Sequence, residues 1–370
     1  MAKPVILTGL RANNDLHIGN YFGAMLPMVE MATKHSDEYQ INLFIPDLHS
    51  FTTPIDHNLL QEQIMHNARL YAAAGLPLDS DDILVYRQSY VPAHSELTWI
   101  LDCFVYMGEL GNMTQFKDKA HGLANQALRE AGALQVDDSA PGSASEKVIS
   151  STPSVGLFNY PVLMACDILL YGAKYVPVGD DQTQHLEFTR NIAGRMNNKF
   201  GDLFEVPYEV SKQHEFFNKG QGLRIMDLVD PTKKMSKSDE TGRGVIFLTD
   251  TPEVAAKKIM SATTDDKASV NYNPVEQPGI SNLLQILSLL RGQPLDEVEA
   301  EFKGMDRYGD FKRVVADALS DFLTEFQARL SDVDDSMILA TFERSENTAN
   351  DQANATLYRV QQAVGLRPRN

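Results

Sequence analysis

Two short stretches that lie far apart in the sequence have residue types suited to binding a triphosphate chain. The first is His17-Ile18-Gly19-Asn20, which follows a short apolar run and opens a predicted helix. The N–H groups at a helix N-terminus favour phosphate, and a glycine there lets a nucleotide approach the backbone closely. His17 can donate a hydrogen bond to charge that grows on a phosphate in a transition state. Alone, such a tetrapeptide is more often an ordinary helix start.

The second stretch is a cationic segment well past the middle of the chain, residues 232–240, here called the lysine loop. Lys234 and Lys237 are predicted to contact the β- and γ-phosphates, and Ser236 to donate a hydrogen bond. A mobile cationic loop that closes as pyrophosphate leaves stabilises the transition state more than bound ATP. Most lysine runs are simply solvated. The two stretches together predict a site that holds ATP in line for attack by a carboxylate.

A third candidate is a carboxylate in an apolar helix. Asp167 lies within residues 160–170, which are otherwise almost wholly apolar. A buried carboxylate is costly unless it has partners, so Asp167 is either a structural group bonded within the core or an acceptor for a ligand's donor. A site built around such an acceptor rejects a ligand that lacks the donor by a factor on the order of 10⁴–10⁵. Met164 precedes Asp167 by one helical turn and shares its face.

The elements that must position these residues alternate between short apolar runs and helical patterns. Predicted strands cover residues 5–8, 41–45, 82–86 and 174–178. Predicted helices between and after them cover residues 18–33, 59–74, 91–106, 113–131, 159–171 and 182–198, and a final amphipathic helix is predicted from about 335 to 364. Such alternation indicates an α/β fold with a doubly wound parallel sheet, in which ligands bind at the carboxyl ends of the strands. The polar residues near those ends are Arg11, His17, His49 and Gln88.

Composition limits the classes of partner. The 370 residues carry a formal net charge of −17, which argues against a nonspecific DNA-binding protein. A nucleic acid would have to be met by local basic patches, because attraction to phosphate acts over roughly 8 Å at physiological salt. Candidate cations in the helical second part are Lys257, Lys258, Lys312 and Arg313. The apolar runs are too short to span a membrane.

Cysteine usage and the N-terminus predict a cytoplasmic protein. The sequence contains two cysteines, Cys103 and Cys166, both in apolar helical patterns that predict buried thiols in a reducing compartment. No Cys–His spacing indicates a structural metal. The chain enters a predicted strand a few residues after Met1, and we therefore expect neither a signal peptide nor a transit peptide.

Five blocks along the chain carry a resemblance to a known family. They are residues 17–24, 108–119, 176–185, 230–238 and 278–284. On these blocks the chain resembles, over nearly its whole length, the tryptophanyl-tRNA synthetases, which are class I aminoacyl-tRNA synthetases with a Rossmann-type catalytic domain. The resemblance implies that the carboxylate of L-tryptophan attacks the α-phosphate of ATP and that the activated acyl group then passes to tRNA(Trp). It also implies a homodimer, and Mg²⁺ carried by ATP rather than by a protein metal site.

The resemblance also assigns roles to individual residues. Catalytic roles fall to His17, Lys117, Lys119, Lys234, Ser236 and Lys237. ATP-binding roles fall to Arg11, Ala12, Asn13, Gly19, Asn20, Gly179, Asp180, Asp181, Ile225, Lys234, Met235, Ser236, Lys237 and Ser238. Tryptophan-binding roles fall to His49, Met164, Asp167 and Gln182, with Asp167 accepting the indole N–H.

The implied organisation has three parts. Residues 1–242 form the Rossmann-type catalytic domain, with an insertion at about 120–154; residues 243–335 form a smaller helical domain that binds the tRNA anticodon; and residues 336–370 pack back on the catalytic domain. Arg11-Ala12-Asn13-Asn14 departs from the family's Gln-Pro-Ser/Thr-Gly pattern. Two other functions remain open from the sequence: a tyrosyl-tRNA synthetase, and an adenylating nucleotidyltransferase of the same superfamily that acts without tRNA.

Overall fold

The computed structural model describes residues 3–10, 15–52, 54–119, 153–177, 179, 182–217, 224–236 and 242–369. Several residues with predicted roles lie outside these ranges. They are Arg11, Ala12, Asn13, Asp180, Asp181, Lys237, Ser238 and nearly all of the insertion at 120–154.

A parallel sheet forms the centre of the N-terminal part. Within the described residues it has three strands in the order β1 (Val5–Gly9), β2 (Gln40–Ile45) and β3 (Ile83–Arg87). Ile6 pairs with Ile41, and Ile41 pairs in turn with Ile83. Most residues of all three strands are buried, as expected when helices cover both faces of a parallel sheet. The predicted α/β class is confirmed.

The predicted strand at 174–178 is wrong over the residues that the structure describes. Tyr175 forms one isolated parallel bridge with Ile6, and Leu7 N donates to Tyr175 O at 3.0 Å. Pro177 follows closely and has no N–H to continue a ladder. The segment nevertheless lies on the side of β1 opposite β2. The chain therefore reverses its direction of winding next to β1, and such a reversal is where α/β sheets bind ligands.

Helices surround the sheet. They are α1 (Ile18–Asn20), α2 (Leu26–His35), α3 (Asp47–Ser50), α4 (Leu60–Ala73), α5 (Ala93–Asp102), α6 (Met107–Gly111), α7 (Val155–Leu169), α8 (Thr183–Phe200) and α9 (Val210–Phe216). A π-helical turn, Tyr21–Met25, interrupts the predicted continuous helix between α1 and α2. A 3-10 turn, Gln88–Tyr90, follows β3, and residues 114–119 are helical.

From Pro252 onward the chain is mostly helical. The helices of this part are α10 (Pro252–Met260), α11 (Pro278–Arg291), α12 (Leu295–Glu301), α13 (Tyr308–Ser331) and α14 (Asp335–Val364). The prediction of a helix at 335–364 is confirmed. α14 runs back to the sheet, where Val85 N of β3 donates to Ser345 Oγ at 3.0 Å. A single apolar cluster extends from β1 to Phe342, so the sheet and the C-terminal helices share a core.

The two cysteines differ in environment. Cys166 is buried in α7, as predicted. Cys103 is exposed, and the prediction that it is buried is wrong, because α5 ends at Asp102 and the thiol follows its last turn. None of the described helices is both long enough and apolar enough to cross a bilayer.

Candidate active site

A cleft of about 490 Å³ opens at the carboxyl end of β1, beside the segment that contains Tyr175. Main-chain and side-chain atoms of Gly9, Leu10, Val176 and Pro177 line its floor, which places the cleft where the winding of the sheet reverses. Side chains from four separate parts of the chain complete the wall. Six residues with predicted roles meet in this lining: His49, Lys119, Met164, Asp167, Gly179 and Gln182.

Asp167 is the best-defined polar group of the cleft. It is fully buried, and both of its carboxylate oxygens accept hydrogen bonds. His49 Nε2 lies 2.9 Å from Oδ2, while Gln88 Nε2 donates to Oδ1 at 2.7 Å and His94 Nδ1 lies 2.6 Å from Oδ1. Burial by itself would raise the pKa of this carboxyl, but the hydrogen bonds from His49 and His94 outweigh burial and lower that pKa. Asp167 is therefore ionised at neutral pH.

Asp167 Oδ1 is held by groups behind the cleft that have no predicted role. Gln88 and His94 are both fully buried, and neither lines the cleft. The other ring nitrogen of His94 lies 2.9 Å from the hydroxyl of Tyr171, so the ring is fixed at both nitrogens. The sequence predicts only that Gln88 lies near a strand end, and it indicates no role for His94. Its signal was a polar residue on the apolar face of α5, which otherwise presents Leu97 and Leu101.

Two turns before Asp167 in α7, the lining of the cleft is aromatic and cationic. The Tyr160 hydroxyl lies 2.7 Å from His185 Nε2, and Lys119 Nζ lies 4.8 Å from the centroid of the Tyr160 ring. Lys119 therefore supplies a positive charge next to the cleft. Lys117 is not among the residues that line the cleft, and its Nζ lies 3.4 Å from Asn112 Oδ1. The two predicted lysines are thus placed differently.

His17 begins the first phosphate-binding stretch and caps α1. Its Nδ1 accepts from Asn20 N, and Asn20 Oδ1 accepts from His17 N, both at 3.3 Å. Because Nδ1 is an acceptor, the neutral ring carries its proton on Nε2, as a donor to phosphate requires. The side chains of His17 and Asn20 thereby fix the start of α1.

The lysine loop begins next to this helix start. Met235 N donates to Ile225 O at 3.0 Å, and Met226 forms an antiparallel bridge with Lys234. Met235 is buried, whereas Lys234 is exposed. A Cβ atom built on Gly19 would lie 3.7 Å from Ile225 Cβ, so the first phosphate-binding stretch and the base of the lysine loop are in contact range. The structure thus brings together two stretches that lie far apart in the sequence.

Asn282 holds the base of the lysine loop and was not predicted individually. Its Oδ1 accepts from Met226 N, and its Nδ2 donates to Met226 O, both at 2.9 Å. Asn282 is buried in α11. The two bonds imitate a strand pair and fix the backbone between Ile225 and the loop.

A second cavity adjoins the cleft. Its volume is about 460 Å³, and it shares Thr8, Pro177 and Gly179 with the cleft. Gly23 and Ala24 of the π-helical turn line it as well. The two cavities therefore lie side by side, and the second is lined by the π-helical turn and α2. Among the described residues, no group of three or more His, Cys, Asp or Glu side chains could hold a metal ion.

Substituting Gly19 by alanine should weaken ATP binding without unfolding the protein. The new Cβ would lie 2.9 Å from His17 Nδ1, so the cap must shift and the backbone is no longer open to the nucleotide. We expect the KM for ATP to rise about tenfold, while the KM of the amino-acid substrate changes little. Gly194→Ala in α8 is the control, because nothing lies within 4 Å of its Cβ. An unchanged KM for ATP would contradict a nucleotide at Gly19.

Comparisons with known proteins show the family of the chain. The family described as "tRNA synthetases class I (W and Y)" matches residues 2–324. The chain is 39% identical over 361 residues to the tryptophan–tRNA ligase of Caldanaerobacter subterraneus subsp. tengcongensis, covering 98% of both chains. It resembles the crystal structure of tryptophanyl-tRNA synthetase from Mycoplasma pneumoniae, with a TM-score of 0.76, 33% identity and 99% of each chain covered. It also resembles the Campylobacter jejuni enzyme complexed with ADP and tryptophan, with a TM-score of 0.73, 26% identity and coverage of 98% and 99%. The chain therefore belongs to the class I tRNA synthetases of the W and Y group.

Proposed function

We propose that the protein is a tryptophan–tRNA ligase, which activates L-tryptophan with ATP and transfers the tryptophanyl group to tRNA(Trp). The observation that carries this function is the buried carboxylate of Asp167, bonded to His49, Gln88 and His94, at the wall of a largely apolar cleft. Two relatives that match this chain over 98% of its length are named tryptophan–tRNA ligases. The resemblance found in the sequence is consistent with the buried carboxylate and with the names of these relatives.

The indole of tryptophan is proposed to donate its N–H to Asp167. Oδ1 of the carboxylate is occupied by Gln88 and His94, while Oδ2 meets His49, whose side chain itself lines the cleft. Met164 packs beside Asp167 and supplies apolar surface for the rings. Gln182 lines the same cleft and is proposed to contact the amino-acid end of the substrate. A ligand without a donor would leave the buried carboxylate unsatisfied and would be rejected.

ATP is proposed to bind across the start of α1 and the base of the lysine loop. Gly19 and Ile225 would contact the nucleoside, and the α1 N-terminus with Lys234 would face the phosphates. Ser236 and the predicted Lys237 would complete the cationic loop. Mg²⁺ would arrive with ATP and stay bound mainly to phosphate oxygens and water. The chemistry then needs alignment and charge compensation, and no covalent nucleophile of the protein.

The second substrate is proposed to be tRNA(Trp), bound in part by the helical region at 243–335. Two of the cations predicted to face tRNA have structural roles instead. Lys258 is paired with Asp250 at 2.7 Å, and Lys312 donates to Ala262 O at 2.7 Å. Burial lowers the pKa of Lys312. Lys257 and the exposed Arg313 remain the candidates in that region.

We further propose a homodimer in the cytoplasm. Large apolar side chains are exposed on α5, α6 and the start of α7, among them Trp99 at 74%, Met107 at 78% and Val155 at 81%. A cluster of this kind is typical of an interaction surface. Sedimentation velocity of the purified protein should give about twice the chain mass of 41.2 kDa. A species of the chain mass at micromolar concentration would contradict the dimer.

Parallel ATP–pyrophosphate exchange assays with tryptophan, tyrosine and phenylalanine test the function. Exchange driven by tryptophan alone, followed by charging of tRNA(Trp), is the expected result. Exchange with tyrosine but not tryptophan would identify a tyrosyl-tRNA synthetase. Exchange with tryptophan and no charging would identify an adenylating enzyme that acts without tRNA.

A further inference from the structure

We infer that the C-terminal helix α14 is part of the amino-acid pocket, with Glu346 as a positioning residue. Glu346 fixes the position of Arg87 by hydrogen bonds, and Arg87 precedes the 3-10 turn Gln88–Tyr90. Residues of this turn position the side chains that bond to both oxygens of Asp167. This inference deepens the proposed function and rests on it, because it takes Asp167 as the group that selects tryptophan.

The Arg87–Glu346 pair is nearly enclosed and doubly hydrogen-bonded. Arg87 Nε donates to Glu346 Oε1 at 2.6 Å, and Arg87 Nη2 donates to Oε2 at 2.9 Å. The two side chains are only 13% and 10% exposed. The guanidinium lies 3.4 Å from the ring centroid of Tyr90 and 5.0 Å from that of Phe342. A bidentate pair between two rings allows little freedom, so Arg87 has one position.

Glu346 also contacts the backbone at the point where the strand becomes the turn. Arg87 N, at the last position of β3, donates to Glu346 Oε1 at 3.3 Å. One turn further along α14, Asn350 Nδ2 donates to Tyr90 O at 2.9 Å. α14 therefore fixes the entry of the 3-10 turn and its last residue.

Two separate chains of hydrogen bonds then connect the turn to the two oxygens of Asp167. Gln88, its first residue, donates to Asp167 Oδ1 at 2.7 Å. Ser89 N donates to Asp47 Oδ1 at 2.9 Å, and Ser89 Oγ bonds to Oδ2 of the same carboxylate. Asp47 is buried and begins the four-residue helix α3, which carries His49 against Asp167 Oδ2.

Loss of the Glu346 charge should therefore weaken binding of the amino-acid substrate. A buried cation left without its partner moves toward water, and Gln88 and Ser89 move with it. A shift of about 0.5 Å is enough to spoil hydrogen bonds that must be short and nearly linear. ATP is assigned to α1 and the lysine loop, so its binding should be largely spared.

Glu346→Gln in the full-length protein tests this inference by exchange kinetics. The variant keeps the shape of the side chain and removes its charge. We expect the KM for tryptophan to rise about tenfold, the KM for ATP to change less than about twofold and kcat to fall less than about threefold. Arg87→Lys keeps the positive charge and loses the bidentate fork, and should change the same constants in the same direction. It replaces Glu346→Gln if that variant does not fold.

Ser345→Ala is the matched control. Ser345 is the adjacent residue of α14, and its Oγ accepts from Val85 N at 3.0 Å, in β3 but before the turn. Its loss should lower the melting temperature and leave the KM for tryptophan unchanged. A double-mutant cycle adds a second readout: in a Gln88→Ala background, Glu346→Gln should raise the KM for tryptophan by less than about tenfold, because the route through Gln88 is lost and only the route through Ser89 and Asp47 remains.

The outcomes separate this inference from the function. Wild-type exchange with tryptophan, together with an unchanged KM in Glu346→Gln and Arg87→Lys, would overturn the inference and leave the function standing. An equal rise in Ser345→Ala, or full additivity with Gln88→Ala, would also overturn it. A wild-type protein without tryptophan-dependent exchange would overturn both.

Discussion

Asp167→Ala should reduce kcat/KM for tryptophan by about 10³-fold in ATP–pyrophosphate exchange, because it removes a charged hydrogen bond and leaves buried donors unpaired. Three donors, from His49, Gln88 and His94, converge on this carboxylate, so the deletion disorganises the wall of the cleft as well. The KM for ATP should change by less than about threefold, because the nucleotide is assigned to another part of the site.

Asp102→Ala is the matched control for Asp167. Asp102 Oδ2 accepts from Asn159 Nδ2 at 3.0 Å, and the residue therefore also joins a carboxylate to α7. Asp102 is not among the residues that line the cleft, and its loss should cost stability without changing amino-acid selection. A rise in the KM for ATP larger than that for tryptophan in Asp167→Ala would count against the indole assignment.

Lys234→Ala should lower the rate of adenylate formation by about 10²-fold while leaving tryptophan affinity within about twofold. Lys234 is exposed and stands at the base of the lysine loop, opposite Met226. Its charge is proposed to act on the phosphates as pyrophosphate leaves. The rate constant for adenylate formation, measured under single-turnover conditions, should therefore fall. Lys237→Ala should behave in the same way by its place in the sequence.

The neighbouring lysine gives a control for net charge. Lys233 is paired with Asp230 at 2.8 Å, and the hydrogen bond with Lys233 lowers the pKa of the Asp230 carboxyl to about 2. This pair is solvent-exposed, and Lys233→Ala should leave the adenylation rate nearly unchanged. Equal losses in Lys233→Ala and Lys234→Ala would mean that the loop acts only through its overall charge.

Local sequence patterns predicted most of the helices and strands. The strand predicted at 174–178 is an exception. Buried runs such as residues 41–45 are strands because their mostly apolar side chains fit between two helical layers. The helix at 335–364 was predicted with its bounds, because small or apolar residues recur at helical spacing along most of its length. The segment at 174–178 has strand composition, yet Pro177 limits it to a single bridge with Ile6.

The site was predictable where a residue type carries its own signal. A carboxylate in an apolar helix is unusual enough that Asp167 stood out from the sequence. Gln88 and His94 did not, since their roles arise only when β3 and α5 meet α7. Likewise, the contact between Gly19 and Ile225 depends on the fold, and no spacing rule places these residues side by side.

The proposed function requires one adenine nucleotide to span the start of α1 and the base of the lysine loop while the indole lies against Asp167. A crystal structure with tryptophan and a non-hydrolysable ATP analogue tests this directly. The expected result is an indole nitrogen about 3 Å from an Asp167 oxygen and a nucleoside in contact with both Gly19 and Ile225. A nucleotide bound elsewhere with Gly19 and Ile225 uncovered, or an indole outside the cleft, would contradict the account.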